Sequence, residues 1–187
     1  MAKKGQIWIS AVLYMALGVI VLTIILAAGV PMVQKMKDKN VLAQTKTLFY
    51  TVDENIKAVS NEGPGSRRYL SPFEVKAGDF DVDSDSNQIK WLLRTKAKMM
   101  EPSYYLNGQS TGVPEFREGA IYMYMNETNI VDEYFLNLKL DYSEVADLEL
   151  ESLFEGPYSG TYSVSIRHTG TYNPTTNLPV IVFGLTV

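Results

Sequence analysis

The sequence predicts an α+β protein, in which one long N-terminal helix, first membrane-spanning and then amphipathic, precedes a β-rich head domain. Three observations lead to this fold class. Residues 5–34 contain no charged side chain. Apolar residues then recur every three or four positions as far as Val59, and from Tyr69 onward they alternate with polar residues. These patterns are typical of a membrane helix, an amphipathic helix and half-buried strands, in that order.

The apolar segment at residues 7–32 is long enough to cross a bilayer. Its 26 residues would form a helix of roughly 39 Å, whereas the hydrocarbon core of a membrane is ~30 Å thick. The central helix of a larger soluble core is the alternative, but such a helix rarely needs so long an apolar run. The segment also exceeds the apolar part of an ordinary secretory signal. We therefore expect a transmembrane helix over about residues 7–32.

The helix is predicted to continue in amphipathic form over residues 33–60. Apolar side chains would line one face of this part and cover the head domain. Pro31 either kinks the helix at the membrane exit or is tolerated at the end of the span, and both interpretations remain open. The residues that define the apolar face are Val41 or Leu42, Leu48 or Phe49, Val52, Ile56 and Val59.

A linker at residues 61–68 is predicted to end the helix, because it contains Gly-Pro-Gly-Ser. The head domain follows over residues 69–187, as an antiparallel sheet or a sandwich-like arrangement. The final segment, residues 179–187, is apolar on both faces, which predicts a central strand or one covered by the helix. The alternating positions are Phe73/Val75, Phe80/Val82, Ile89/Trp91/Leu93, Tyr134/Leu136/Leu138/Leu140, Leu148/Leu150 and Tyr162/Val164/Ile166.

Composition excludes several classes of function. The formal charge is −4, and removing Lys3 and Lys4 from the 17 Lys and Arg leaves 15 against 21 Asp and Glu. Such a surface disfavours nucleic-acid binding, which needs basic residues against phosphates. The chain has no cysteine, which excludes disulfides and thiolate chemistry. Because no nucleophile elbow, phosphate loop or zinc-binding helix motif occurs, we expect no enzyme activity, cofactor or metal.

Alternating acidic residues in the head suggest either a calcium loop or the turn of a hairpin. Calcium prefers several oxygen ligands from one loop, but counting from Asp81 the required glycine and final glutamate are replaced by Ser86 and Leu92. A solvated turn between two strands explains the same composition, and we favour it. The residues concerned are Asp79, Asp81, Asp83, Asp85 and Asn87.

Other polar and aromatic residues in the head have both functional and structural interpretations. Asn126 begins an Asn-Glu-Thr glycosylation motif, although about one such tripeptide is expected by chance in a chain of this length. His168 is in phase with a strand, which favours a structural hydrogen bond over catalysis. The 12 tyrosines, including Tyr104-Tyr105 and Tyr122/Tyr124, either line a glycan- or surface-binding patch or serve as ordinary strand residues.

The N-terminal residues resemble the processing site of archaeal prepilins, members of the type IV pilin superfamily with a class III signal peptide. Lys3-Lys4-Gly5 precede Gln6 and an uninterrupted apolar helix. The resemblance implies that a prepilin peptidase-like enzyme cuts between Gly5 and Gln6, which removes the basic leader (residues 1–5) and leaves the helix (residues 6–60) on the subunit. It also implies that the helix first lies in membrane lipid and later packs against copies of itself or related pilins in an extracellular filament.

One departure from the pilin pattern leaves a second function open. Many members carry a glutamate five residues into the mature chain, where Ser10 stands here. Minor or atypical subunits show such changes, so the chain would either build a filament as a major subunit or only join one. The alternative function is an unprocessed single-pass protein that displays its head as an adhesin or binding module. Lysines flank both ends of the apolar segment, so charge alone does not orient it. The resemblance favours a head outside the cell.

Overall fold

A single long helix, α1, precedes ten strands in the parts of the chain that the structure describes. This computed structural model describes residues 2–103, 105–106, 109–110, 115–152 and 156–186. Residues 1–38 and 39–187 form two separate units. The elements are α1 (Ala2–Glu62), β1 (Arg67–Asp83), β2 (Gln88–Thr95), β3 (Tyr105–Leu106), β4 (Gln109–Ser110), β5 (Phe116–Glu118), β6 (Ile121–Glu127), β7 (Tyr134–Asp141), β8 (Asp147–Ser152), β9 (Tyr158–Tyr172) and β10 (Pro179–Thr186).

The first unit consists of the apolar part of α1. The helix runs through Pro31 and continues beyond it. The missing N–H of Pro31 removes one backbone hydrogen bond without ending the helix, and the kink at this position stays a prediction. Side chains from Trp8 to Lys37 are exposed throughout, apart from the half-buried Gly29. The first unit therefore has no core of its own.

The end of α1 is set by a glycine-rich turn. Gly63 and Gly65 have positive φ angles of 83° and 86°, which suit glycine because it lacks a Cβ. Ser66 closes the turn, since its N–H donates to Gly63 O at 3.2 Å and its hydroxyl donates to Val59 O at 2.8 Å. The hydroxyl thereby satisfies a carbonyl that the helix leaves free.

The predicted linker at residues 61–68 is consequently too long at both ends. Residues 61–62 belong to α1, and residues 67–68 belong to β1. Arg67 and Arg68 pair with Arg167 and Ile166 of β9. Because the turn closes within four residues, the sheet ladder can begin directly after it.

The second unit contains the remainder of α1 and one eight-stranded sheet in the order β5-β6-β7-β2-β1-β9-β10-β8. Neighbouring strands are antiparallel, except that β10 and β8 run parallel. β3 and β4 form a separate two-stranded sheet. The prediction of a helix followed by a mostly antiparallel β domain is confirmed. The described strands form no second large sheet, so the sandwich-like alternative is wrong for this part of the chain.

The core lies between α1 and the inner face of the sheet. Phe49, Val52, Ile56 and Val59 are completely buried, as the spacing of apolar residues predicts. The Phe49 ring lies 6.2 Å from that of Phe80, edge to face. Predicted inward-facing residues that are buried in this core are Phe73, Val75, Phe80, Val82, Ile89, Trp91, Leu93, Leu136, Leu138, Leu140, Leu148, Val164 and Ile166.

Strands β10 and β6 depart most from the sequence-based expectation. β10 lies second from the edge, so the predicted central position is wrong. The alternative, a strand covered by the helix, agrees with its inner face, because Phe183 lies in the same core as the buried face of α1. On the outer face Val182 is only 4% exposed. Arg167 of β9 and Glu151 of β8 form an ion pair of 3.1 Å across β10, and we infer that their side chains cover Val182. The core residues Ile121, Met123 and Met125 of β6 were not predicted as an inward-facing set.

Polar contacts join α1 to the rest of the head, in addition to the ion pair between Glu62 at the end of α1 and Arg68 of β1. Lys46 Nζ lies 2.6 Å from Glu118 Oε2, and Tyr50 Oη donates to Glu118 O at 3.1 Å. Farther along the helix, Tyr142 Oη donates to Asp53 Oδ1 at 3.3 Å. Polar contacts are directional, so they fix where along the sheet the apolar face of α1 lies.

The helix–sheet packing predicts a large stability loss when Ile56 is truncated. Ile56→Ala in a chain of residues 39–187 should lower the free energy of unfolding by about 2–5 kcal/mol, because the side chain is fully buried. Glu54→Ala, on the exposed side of the same helical turn, should change it by less than about 0.5 kcal/mol. Urea denaturation of both variants measures the difference, and equal midpoints would show that α1 does not cover the sheet.

Candidate functional site

The most distinctive functional feature is the exposed apolar part of α1. Trp8 is 76% exposed and Val30 is 64% exposed, and the apolar stretch between them is buried nowhere in the structure. By length and composition this helix could span a membrane. Apolar surface on this scale is unfavourable in water, so lipid or other protein chains must cover it.

The predicted processing site lies in the first turns of the same helix. Gly5 and Gln6 both have helical backbone, and α1 begins before them at Ala2. The side chains of residues 2–7 lie outside what the structure describes. Processing between Gly5 and Gln6 remains a prediction, and a peptidase would have to cut within helical backbone or after local unwinding.

Three of the small residues in the apolar segment share one face of the helix. Ala11, Gly18 and Gly29 are separated by 7 and 11 positions, which places them within about 20° of one another around the axis. A Cβ atom built at Gly18 or Gly29 meets nothing within 4 Å. Larger side chains at these glycines are therefore compatible with the isolated chain, and any steric effect they have must come from another molecule.

The glycosylation candidate Asn126 lies on strand β6, not on a loop. Its side chain is half-buried, and its Oδ1 accepts a hydrogen bond from Ser103 Oγ at 2.7 Å. The hydroxyl of Thr128 is also engaged, since it accepts from Ile130 N at 3.1 Å. Modification of Asn126 remains a prediction, and it would have to precede or disturb these contacts.

The acidic segment beginning at Asp79 forms a hairpin, as the sequence favours. β1 and β2 pair from Asp79 to Asp83, and Asp83 faces Gln88 across the turn. Asp83 Oδ2 lies 2.5 Å from Lys90 Nζ, and Asp83 Oδ1 accepts from Ser86 N at 3.0 Å. The hydrogen bonds from Lys90 and then Ser86 hold the pKa of Asp83 well below its ordinary value. The described residues contain no group of three His, Asp or Glu side chains suited to a metal ion.

His168 has a structural environment on β9. It is 3% exposed, and its Nδ1 accepts a hydrogen bond from Gly170 N at 2.9 Å. Its backbone N–H donates to Ser66 O at 3.0 Å, in the turn that follows α1. The ring nitrogen Nε2 has no partner among the described residues. These contacts agree with the predicted structural hydrogen bond, but His168 lies within β9 and not at its end.

Tyr142 and Asp53 form a buried polar pair that sequence reasoning missed. Asp53 is only 7% exposed and also contacts Lys57 Nζ at 2.8 Å. Burial, followed by the nearby Asp53 charge, raises the pKa of Tyr142 far above its ordinary value. Asp53 lies one position from the buried Val52, and a carboxylate beside a predicted core face is the signal that could have identified it.

Only part of the predicted tyrosine patch lies within the residues that the structure describes. Tyr104 and the side chain of Tyr105 lie outside the described residues. Tyr122 and Tyr124 are half-buried on β6, and Tyr122 lies beneath Arg117, whose guanidinium carbon is 4.9 Å from the ring centre. Lys139 Nζ lies 5.2 Å from the same ring. Tyr122 is thus already surrounded by cations, whereas Tyr124 is not.

Comparison with known proteins identifies no relative. No protein-family model matches the chain, and neither a curated protein nor a solved structure matches it.

The low pKa of Asp83 predicts a specific acid dependence of stability. Because the folded-state pKa lies below the unfolded value of about 3.9, the stabilisation is fully present above pH 5 and is lost as pH falls through the folded-state pKa. Asp83→Asn should cost about 1 kcal/mol at pH 7, and the difference from wild type should shrink towards pH 2. Urea unfolding of residues 39–187 between pH 7 and 2 measures both.

Asp85→Asn is the matched control for this experiment, because Asp85 is exposed on the same turn and makes no hydrogen bond to a described residue. It should reproduce the wild-type curve. Parallel curves for wild type and Asp83→Asn would contradict the assignment of the pKa shift to the Lys90 and Ser86 contacts.

Proposed function

We propose that this chain is a structural subunit of an extracellular type IV pilus-like filament, held in the cell membrane by its N-terminal helix before assembly. The observation that carries the proposal is an exposed, charge-free apolar helix that follows Lys3-Lys4-Gly5-Gln6 and continues into the core of a β domain. The head would face outside the cell, and the proposed partners are membrane lipid, a prepilin peptidase-like enzyme and copies of itself or related pilins.

The physical chemistry of α1 is compatible with both environments that the proposal requires. In lipid, the exposed apolar side chains are removed from water, and neighbouring helices in a filament would remove them equally well. Since lipid tails are as apolar as leucine, helices associate in such surroundings through close packing. Ala11, Gly18 and Gly29 would permit close approach on one face of the helix.

A single-pass membrane protein that displays the same head as an adhesin or binding module is the second candidate. Ser10 favours it, because the glutamate common at this position in pilins is absent. Such a protein would keep residues 1–5 and would have no need of helix packing. Processing and packing therefore separate the two candidates.

Processing predicts that Gly5→Leu blocks maturation, because the peptidase must accommodate the side chain at the cut. The intact mass of the purified wild-type protein should correspond to a chain that begins at Gln6, and that of the variant to one that retains the leader. Ala2→Leu, which adds the same side chain away from the cut, should mature normally. A variant chain that still begins at Gln6 would remove the main support for the pilin assignment.

Helix packing predicts that Gly18→Leu abolishes filaments and leaves membrane insertion intact. The substitution keeps the segment apolar, and Gly18 has open space around it within the chain, so only contact with another helix opposes the added bulk. Val19→Leu on the neighbouring face adds a single methylene and should assemble normally. Electron microscopy of sheared cell-surface material measures assembly, and membrane fractionation measures insertion.

The outcomes of this experiment differ for the two candidates. A wild-type chain found only in the membrane fraction, without filaments, would favour the single-pass binding module. Filaments that persist in Gly18→Leu would show that this glycine is no packing contact, whereas insertion without assembly would support the filament subunit.

A further inference from the structure

The outer face of the sheet carries a mixed aromatic and polar surface at the strands β6, β7, β2 and β1. Alternate residues of these strands point into the core, so the intervening ones face outward. The strand registers align the outward-facing side chains in two adjacent rows across the four strands. The first row is Tyr124, Asn137, Leu92 and Asp79, and the second is Tyr122, Lys139, Lys90 and Asp81.

A cleft of about 420 Å³ lies over these rows. Gly156 and Pro157, which precede β9, line it together with side chains of both rows. A Cβ atom at Gly156 would come within 3.1 Å of Asp81 Oδ1, so the backbone at this glycine lies directly beside the carboxylate. The volume falls in the range of about 300–1,000 Å³ that is usual for small-molecule sites.

The polar groups of the cleft retain unused hydrogen-bonding capacity. Lys90 lies opposite Asp81 in the ladder, but its ammonium group pairs with Asp83 instead. Asp79, Asp81 and the hydroxyl of Tyr124 make no hydrogen bond or ion pair with any residue that the structure describes. Carboxylates in this state accept hydrogen bonds, so they favour a ligand that donates several.

We propose that this cleft is a saccharide-binding site. A sugar ring offers hydroxyl groups as donors to Asp79 and Asp81, and its C–H face can lie on the apolar surface of Tyr124. Leu92 extends the apolar floor, and Asn137 supplies an amide that both donates and accepts. The sheet holds these groups on neighbouring strands, so little ordering is needed before binding.

A basic peptide could also donate hydrogen bonds to these carboxylates. The charged residues that line the cleft are Asp79, Asp81 and Lys90, and Lys90 is already paired with Asp83, so charge does not separate the two ligands. The apolar surface of Tyr124 and Leu92 favours the saccharide, because it matches the C–H face of a sugar ring, whereas a lysine ammonium is strongly hydrated. The site lies wholly within residues 39–187, so the inference is independent of filament assembly.

A glycan array probed with the full-length chain in phosphocholine micelles tests the proposal. This detergent avoids the sugar head groups that would compete in maltoside micelles. The array carries neutral oligosaccharides of glucose, galactose, mannose and N-acetylglucosamine, together with oligolysine as the cationic alternative. We expect binding to at least one saccharide and none to oligolysine, and isothermal titration with the free saccharide then gives the dissociation constant.

Matched variants locate the binding site. Tyr124→Ala and Asp81→Asn should each weaken saccharide binding at least tenfold, whereas Tyr69→Ala and Asp85→Asn, which alter exposed residues outside the cleft, should leave it unchanged. Thermal melts check that each variant is folded. Asp79→Asn and Asp81→Asn preserve side-chain volume, so they keep the test valid if Tyr124→Ala unfolds the head.

Three results would overturn the proposal. The first is the absence of millimolar or tighter binding to any saccharide on the array. The second is saccharide binding that the cleft variants and the control variants affect equally. The third is preference for oligolysine with loss of binding in Asp81→Asn, which would assign the cleft to basic peptides.

Discussion

The packing of one face of α1 on the inner face of the sheet is the contact on which the head depends. A single sheet buries an apolar face only when another layer covers it, and α1 supplies that layer through Phe49, Val52, Ile56 and Val59. Contacts between aromatic rings extend this core from α1 to the strands beneath it. The ring of Phe80 of β1 lies 5.1 Å from that of Phe73 and 6.0 Å from that of Phe183 of β10, so one aromatic cluster links the helix to β1 and β10.

Apolar packing alone does not fix the position of a helix, because the hydrophobic effect is not directional. The contacts of Lys46 and Tyr50 with Glu118, and of Tyr142 with Asp53, add direction at two points along α1. The second is the costlier, since a buried carboxylate must be well paired to be tolerated. Lys57 and Tyr142 supply that pairing, which favours one position of the helix over neighbouring ones.

Sequence patterns predicted the parts of the fold that depend on periodicity. The apolar spacing identified the buried face of α1, and strict alternation identified the inward-facing residues of β1, β2 and β7. Periodicity does not encode which strands are neighbours, so the parallel pairing of β10 with β8 was not predictable. The inward-facing set of β6 was missed because it includes Met123 and Met125, whose long side chains do not mark a strand as β-branched residues do.

The candidate sites were harder to predict than the core, for a related reason. The hairpin at Asp83 follows from local composition, but the rows that place Tyr124 near Asp79 depend on the register of four strands. Asp79 and Tyr124 are 45 positions apart in the sequence, and no local pattern connects them. The same holds for Tyr142 and Asp53, whose contact exists only because the helix lies on the sheet.

α1 is one continuous helix, but different interactions act on its apolar segment and on its amphipathic segment. Over the apolar segment, the helix has no polar face, and lipid or protein neighbours differ little in hydrophobic free energy. Steric fit then decides association, so added bulk at Gly18 matters only when another helix is present. Over the amphipathic segment, the sheet replaces water, and each buried side chain such as Ile56 contributes by removal from solvent. Removing side-chain volume from the amphipathic segment therefore destabilises the head whether or not the chain is assembled. Variants in the two segments thus distinguish effects on assembly from effects on folding.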